Sequence, residues 1–354
     1  MKVLFRVDAS LLIGTGHVMR CLTLADALSQ RGASCTFALR QLPGSNLEQM
    51  GLGYRIWRLP ASYPGEAPAN KPESPIPAKA DLTALMRCAN KEAFDWIVLD
   101  HYGLGTDWEA SSGSLAPRLA VIDDLLFRAH DADILLDQNL LEMVPNAYPT
   151  VPDGRVPKQL LGPMYSLLRP QFAQYRQLAE PSGKERLRIM LFFGGGAAGG
   201  EVLKVLPALL DLPVMIDVVI GGANPKLAEI SRLLAIYSNA RLHVDTHNMA
   251  SLMHDADLYL GGGGTVTWER ACLGLPGLVV ALSDNQEAMS QAAARAGMQQ
   301  YLGRASELAP DAWRAATTAL LADPARLAAM RANAQKLTDG LGAVRVASTL
   351  FELR

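Results

Sequence analysis

His17 directly follows Gly14-Thr-Gly16 in the stretch IGTGHVMR (Ile13 to Arg20), between the apolar run VLFRVDASLL and the helical pattern of CLTLADALSQRG. A histidine at the start of a helix feels the positive end of the helix dipole, which disfavours imidazolium. A neutral imidazole that can accept a proton near neutral pH is therefore expected there. The glycines before it let another molecule approach the backbone closely, which separates this histidine from one that only caps or packs. The loop is a poor dinucleotide fingerprint, because the third glycine position of G-x-G-x-x-G is Met19, too large for close helix–strand packing. No G-x-x-x-x-G-K-[ST] loop exists either, since Gly195 through Gly200 runs into Glu201.

A second chemical feature is GGGGTVTWER (Gly261 to Arg270), which follows the apolar DLYL. Glycines leading into a helix leave unpaired amides pointing outward, an anion site suited to a diphosphate. Glu269, one turn inside that helix, could accept hydrogen bonds from a ribose diol or simply face solvent. FFGGG (Phe192 to Gly196) is either a second phosphate loop or a tight turn. DHYGL (Asp100 to Leu104) and IDDLLFRAHD (Ile122 to Asp131) place carboxylates just after buried strands, where they either serve a site or cap helices. His243, His247 and His254 match no compact metal motif, so surface or capping roles are expected and no metal.

These loops need a frame, and the chain offers one. Short apolar runs alternate with helical patterns throughout, which argues for parallel sheets built from βαβ units. KVLFRVD, SCTFALR, YRIWRLP, WIVLD, LAVIDD and DILLDQ read as strands of a first half; IMLFF, PVMIDVVIGG, RLHVDTH, ADLYLGGGG and GLVVALS read as strands of a second. Between the first two, Val18, Leu22, Ala25 and Leu28 recur at helical spacing, and Gly32 stands where a C-terminal cap would. At 354 residues the chain suits two domains. The pattern predicts two Rossmann-like doubly wound α/β domains facing a cleft: residues 1–165, a linker over 166–187 containing EPSGKER, and residues 188–354. ARLAAMRANAQKL and VRVASTLFEL read as closing helices. Ligands of such folds bind at the carboxyl ends of the strands, so the chemistry is expected between the lobes. The Pro-rich stretch 59–79 can hold neither period and is a surface loop, a candidate lid.

Composition narrows the partner. With 49% hydrophobic and 19% charged residues and a net charge of −2, nothing favours nucleic acid or an anionic membrane, and a small molecule is expected. Cys21, Cys35, Cys88 and Cys272 are scattered without a C-x-x-C pair, as in a reduced, cytoplasmic protein. Arg6 and Asp8 interrupt the apolar N-terminus, which argues against a signal sequence, and no segment reaches the roughly 18 apolar residues of a spanning helix.

Taken in order, FRVDASLLIGTGHVMRCLTLA, DHYGL…WE, IDDLLFRAHDADILLDQN, LGPMYSLLRPQF, GGGTVTWERACLGLP and SDNQ resemble the UDP-2,4-diacetamido-2,4,6-trideoxy-β-L-altropyranose hydrolases of pseudaminic acid biosynthesis, over residues 1 to about 290. The resemblance implies a GT-B-like fold and removal of UDP from C1 with inversion, without metal or cofactor, on a route to a nonulosonic acid used in flagellin glycosylation. It implies His17 as catalytic base, Tyr102 beside the sugar, and Arg169 and Glu269 on the substrate. Gly263, Gly264 and Thr265 would hold the diphosphate, and Gly16, Arg20, Gly195, Asn285 and Gln286 complete the substrate contacts. A monomer is expected. The chain departs from the family at Ala197 and Ala198, where a polar residue, often aspartate, is common.

Residue chemistry agrees with that mechanism. A glycosidase needs two carboxylates because an alcohol leaves poorly. A nucleoside diphosphate leaves as a stabilised anion, so one base and an anion hole suffice. A glycosyltransferase using a UDP-amino sugar donor fits the same scaffold, and a non-catalytic nucleotide-sugar binding protein is the alternative from another class. An NAD oxidoreductase is a distant third.

Overall fold

The structure, a computed structural model, describes residues 1–10, 12–43, 45, 53–71, 73–125, 128–140, 148–178, 185–194 and 199–353, with the side chain of Asn285 set aside. The chain divides into two compact units, Met1–Leu167 with Leu341–Arg354, and Leu168–Gly340.

The first unit runs β1 (Lys2–Val7), α1 (Gly16–Ser29), β2 (Ser34–Arg40), β3 (Arg55–Leu59), α2 (Ala78–Ala89), β4 (Trp96–Asp100), α3 (Thr106–Ser111), β5 (Arg118–Ile122), β6 (Ile134–Asp137) and β7 (Lys158–Leu161). Among the described residues these strands form one parallel sheet in the order β3-β2-β1-β4-β5-β6-β7. Its inner strands, such as β4 and β5, read as apolar runs because both faces are covered. Val3, Phe5 and Val7 pack with Val18, Cys21 and Leu28 of α1 on one face. Leu4, Ile97 and Leu99 pack with Leu82 and Leu85 of α2 on the other. Helix α1 ends as expected: Gly32 takes a φ of +84° and the amide of Ala33 reaches back to the carbonyl of Leu28 at 3.1 Å.

The second unit runs α4 (Pro170–Arg176), β8 (Arg188–Phe192), α5 (Gly199–Val205), β9 (Met215–Ile220), α6 (Leu227–Leu234), β10 (Ala240–Val244), α7 (Met249–Asp255), β11 (Leu258–Gly262), α8 (Val266–Leu273), β12 (Gly277–Ala281), α9 (Asp284–Arg295), β13 (Gln299–Arg304), α10 (Pro310–Leu321) and α11 (Pro324–Gln335). Its parallel sheet is ordered β10-β9-β8-β11-β12-β13. Helix α12 (Gly342–Glu352) closes the chain. The two Rossmann-like, doubly wound sheets expected from the sequence are present.

The domain limits differ from the expected ones at both ends of the second half. Residues 168–178 are part of the second unit rather than a linker, because Phe172 is fully buried and the Arg176 guanidinium donates to the carbonyls of Cys272, Gln335 and Thr338. The last residues, expected in the second domain, complete the first: Ala343, Val346, Ala347 and Leu350 of α12 join the core built on α1. Strands β7 and β13 were not expected; KQLL and QQYLGR are too polar to read as buried strands. EPSGKER lies mostly outside the described residues.

The Pro-rich stretch is held down. Arg40 and Glu66 form an ion pair at 2.6 Å with side chains 5% and 8% exposed, the Tyr63 hydroxyl donates to Asp81 at 2.9 Å, and the Ile76 amide donates to the Gly103 carbonyl at 2.9 Å. No helix among the described residues is long and apolar enough to cross a membrane.

Candidate active site

In the first sheet the strand order reverses between β1 and β4, the switch point at which open α/β sheets present ligand sites. The loop leaving β1 is a tight knuckle. The Gly14 amide donates to the Ser10 carbonyl at 2.8 Å, the Ser10 hydroxyl accepts from the amides of Leu12 and Ile13, and Gly14 has a φ of +77° that only glycine adopts freely. Helix α1 therefore starts at Gly16, with His17 in its first turn. The neighbouring strand β4 ends at Asp100, whose register partner is Val7.

This topology joins two residues that lie 83 positions apart. His17 Nδ1 is 2.6 Å from Asp100 Oδ1. Arg20, one turn along α1, donates to the same carboxylate from Nε and Nη2, both at 2.6 Å. Burial opposes ionisation of Asp100, but Arg20 and His17 outweigh it and hold the carboxyl well below the usual carboxylate range. Nδ1 has two possible roles here, since Arg20 Nη2 also lies 3.2 Å from it. An ionised, fully buried carboxylate at 2.6 Å is the stronger partner, so Nδ1–H donates to Asp100, and in the neutral imidazole the lone pair is then on Nε2. The His17 side chain is 13% exposed while Asp100 is sealed.

A second ring of groups fixes this pair. The Tyr102 hydroxyl donates to Asp124 Oδ1, and the Tyr102 ring meets the His17 ring edge-on at 4.8 Å between centroids. Arg20 Nη1 donates to Asp124 Oδ2 at 3.3 Å. Beneath this, Asp123 accepts from Arg128 Nε and His130 Nε2, both at 2.7 Å, and His130 Nδ1 lies 2.8 Å from Glu109. Burial alone would lower the His130 pKa, but the two carboxylates overcome it and raise it to about 9. His130 is thus an imidazolium clamped between two acids, a structural post.

Of the two aspartate-bearing motifs, Asp100 contacts His17 and Arg20, Asp124 contacts Arg20 and Tyr102, and Asp123 ties down its own loop. Arg20, expected at the substrate, is 5% exposed and directs its donors to Asp100 and Asp124. The bulk of Met19 does not meet the strand as expected, for Met19 is 38% exposed on the outer side of α1.

In the second unit the order reverses between β8 and β11. Of the four glycines, Gly261 and Gly262 belong to β11. A Cβ at Gly261 would sit 1.8 Å from the Phe192 carbonyl oxygen, so this glycine serves the close approach of β11 to β8. Gly263 and Gly264 form the turn proper. A Cβ on Gly263 would lie 2.6 Å from Ser290 Oγ of α9, and Gly264 has a φ of +107°. Thr265 is the N-cap of α8. The amides of Gly264, Thr265 and Val266 donate to no carbonyl among the described residues, which leaves a nest of donors at the helix start.

Gln286 flanks that nest. Its Oε1 accepts from the Leu282 amide at 3.1 Å, which orients Nε2 toward Gly264. Arg169 and Glu269 are brought together, Arg169 Nη2 donating to Glu269 Oε1 at 3.2 Å with side chains 26% and 19% exposed. Burial pushes the Glu269 carboxyl up against the pull of Arg169. Gly195, Ala197 and Ala198, and the side chain of Asn285, lie outside the described residues. Of the three histidines in this half, His243 lies 2.8 Å from Asp217 and His254 packs on Tyr175.

No protein-family model matches the chain. Among solved structures, MurG of Acinetobacter baumannii superposes with a TM-score of 0.68 at 17% identity, covering 99% of this chain and all of that one. The spinosyn rhamnosyltransferase SpnG complexed with thymidine diphosphate superposes with a TM-score of 0.66 at 16% identity over both whole chains. The fold is thus that of GT-B glycosyltransferases. Among curated proteins, the spore coat polysaccharide biosynthesis protein SpsG of Bacillus subtilis is 29% identical over 198 residues, 54% of this chain and 58% of that protein. Over 305 residues, 84% of its own length and 98% of the relative's, this chain is similar at 25% identity to the UDP-2,4-diacetamido-2,4,6-trideoxy-β-L-altropyranose hydrolase of Campylobacter jejuni.

Proposed function

We propose that the protein is a nucleotide-sugar hydrolase that releases UDP from UDP-2,4-diacetamido-2,4,6-trideoxy-β-L-altropyranose by attack of water at C1 with inversion. The observation that carries this reading is the His17–Asp100 pair, with Nδ1 engaged at 2.6 Å and, in the neutral imidazole, the lone pair on Nε2 of a partly exposed ring. In the proposed reaction Nε2 takes a proton from water, the water oxygen bonds to C1, and the bond from C1 to the diphosphate oxygen breaks. Asp100 steadies the imidazolium that forms, as the orienting acid of a hydrolase triad does. The charge growing on UDP goes to the amides of Gly264, Thr265 and Val266 and to Gln286 Nε2, preorganised donors of the kind that stabilise a leaving anion. Arg169 and Glu269 are assigned to the nucleoside, and Tyr102 to the sugar.

General-base assistance is worth about 10²–10⁴ in rate. His17→Ala and His17→Asn are therefore expected to lose at least about a hundredfold in kcat with KM little changed. Turnover within a few-fold of wild type removes His17 from the mechanism. Products formed in ¹⁸O-labelled water decide the bond cut: label in the sugar means attack at carbon, label in UDP means attack at phosphorus. A glycosyltransferase is the second reading, favoured by the fold of the MurG and SpnG structures. Incubation with the nucleotide sugar alone separates the two, since a transferase turns over only when an acceptor hydroxyl is supplied.

A further inference from the structure

Behind the Tyr102–Asp124 contact lies a carboxyl group that the mechanism above does not use. Asp137, at the end of β6, is 1% exposed. Its Oδ1 accepts from the Asn139 amide at 2.8 Å, and its Oδ2 is 3.1 Å from the Tyr148 hydroxyl. That hydroxyl is also 2.8 Å from the backbone carbonyl oxygen of Asp123. A tyrosine hydroxyl has one proton and can donate once. The shorter contact, to a carbonyl that can only accept, takes that proton. The Tyr148 oxygen must then accept from Asp137, which requires a protonated carboxylic acid at Asp137.

We infer that Asp137 is a positioning residue whose proton decides which way Tyr148 donates, and so holds the Asp123–Asp124 peptide in the setting that keeps Asp124 on Arg20 and Tyr102. Burial, together with the charges of Asp124 and Asp123, outweighs the Asn139 amide and the Tyr148 hydroxyl, both of which favour the carboxylate, and raises the Asp137 pKa to about 7. The groups facing Asp137 are Asp123 and Asp124 on the turn after β5, and Tyr148. His130 and Arg128 stand one step further out, on the far side of Asp123. Strand β7 sets Leu161 opposite it and brings no charge there. When Asp137 ionises, the carboxylate becomes the stronger acceptor, because hydrogen bonds to charged groups are about twice as strong as neutral ones. Tyr148 then turns to Asp137, the Asp123 carbonyl loses its donor, and the peptide that leads into Asp124 is released. Asp124 leaves Tyr102, whose ring lies against His17.

The consequence for turnover rests on the hydrolase reading; the consequence for the tyrosines does not. The experiment is a titration from about pH 5 to about 9 of protein carrying ¹³Cζ-labelled tyrosine, followed by NMR, with Tyr148→Phe and Tyr102→Phe to assign the two signals. The Tyr148 and Tyr102 signals of wild type should step together with a midpoint near 7. Asp137→Asn, whose amide donates to Tyr148 at every pH, should remove both steps. Tyr148→Phe should remove the Tyr102 step while Asp137 still titrates. Signals that stay flat in wild type, or steps that persist in Asp137→Asn, overturn the inference. Wild-type turnover of the nucleotide sugar should fall about tenfold for each pH unit above the midpoint, and Asp137→Asn should keep its plateau. If wild type turns over no nucleotide sugar the hydrolase reading fails, and the tyrosine signals still decide the role of Asp137.

Discussion

Replacing Asp100 by Asn keeps the shape of the candidate dyad and changes its electrostatics. In wild type Asp100 Oδ1 accepts from both His17 Nδ1 and Arg20 Nη2, and Oδ2 accepts from Arg20 Nε. The asparagine NH2 must occupy one of these positions. In the Oδ2 position it meets the cationic donor Arg20 Nε; in the Oδ1 position it still meets Arg20 Nη2 but gains an acceptor in His17 Nδ1, so the second placement is the less costly. Facing His17 it donates to Nδ1, so the proton of the imidazole moves to Nε2 and the lone pair that would receive water's proton disappears. Wrong-tautomer substitutions of an orienting carboxylate cost up to about 10⁴ in turnover, so a fall in kcat of about 10²–10⁴ is expected with KM changed far less. The same change leaves the buried Arg20 with Asp124, at 3.3 Å, as its remaining anionic partner among the described residues, and removal of one member of a buried ion pair costs about 3–5 kcal/mol. Chemical denaturation of Asp100→Asn should show that loss, so turnover is to be measured well below the variant's melting temperature. A folded Asp100→Asn enzyme with kcat within about fivefold of wild type would refute the assignment of Asp100 as the group that sets the imidazole.

Gly264→Ala places a side chain at a φ of +107°, a strain of about 1–3 kcal/mol that the turn can relieve only by moving the start of α8; calorimetry should show UDP affinity reduced about tenfold or more. Glu66→Gln strips Arg40 of a partner in a nearly sealed pair, so stability should fall by about 3 kcal/mol and limited proteolysis should open the chain within residues 60–77. Asp137→Asn carries a stability signature of its own. Because burial raises the folded pKa of Asp137 from 3.8 to about 7, the folded state keeps a proton that the unfolded chain releases between those values. Wild-type stability therefore declines relative to the variant as pH rises from about 4 to about 7, by up to about 4 kcal/mol, and urea titrations at the two ends of that range should show the crossover.

The parallel sheets were legible because strands buried on both faces leave apolar runs with sharp polar limits, as in WIVLD and LAVIDD. Strands β7 and β13 were not, since KQLL and QQYLGR sit toward the sheet edges with partly exposed side chains. His17 was legible from its glycines and helix start; its partner was not. Asp100 ends a strand in the same pattern as Asp123, and only the adjacency of β1 and β4 separates a carboxylate that meets the imidazole from one that ties its own loop. The glycine run was legible as a helix start, but its four members divide between strand packing and an open turn, a distinction made by the Phe192 carbonyl pressed against Gly261. Helix α12 was legible as an amphipathic segment. Its period says that one face is covered and not by what, which is why the last residues were expected in the other half.

That returning segment has a bearing on synthesis. Residues 168–340 form a continuous unit that can close as soon as they leave the ribosome, whereas the half begun first lacks Ala343, Val346, Ala347 and Leu350 until residues 341–354 emerge. The part of the α1 core that α12 covers must therefore stay open, or be shielded by a chaperone, until α12 has been made, although the first sheet already covers the rest of it. Shortening the C-terminus by a dozen residues or so would arrest the N-terminal half in that state.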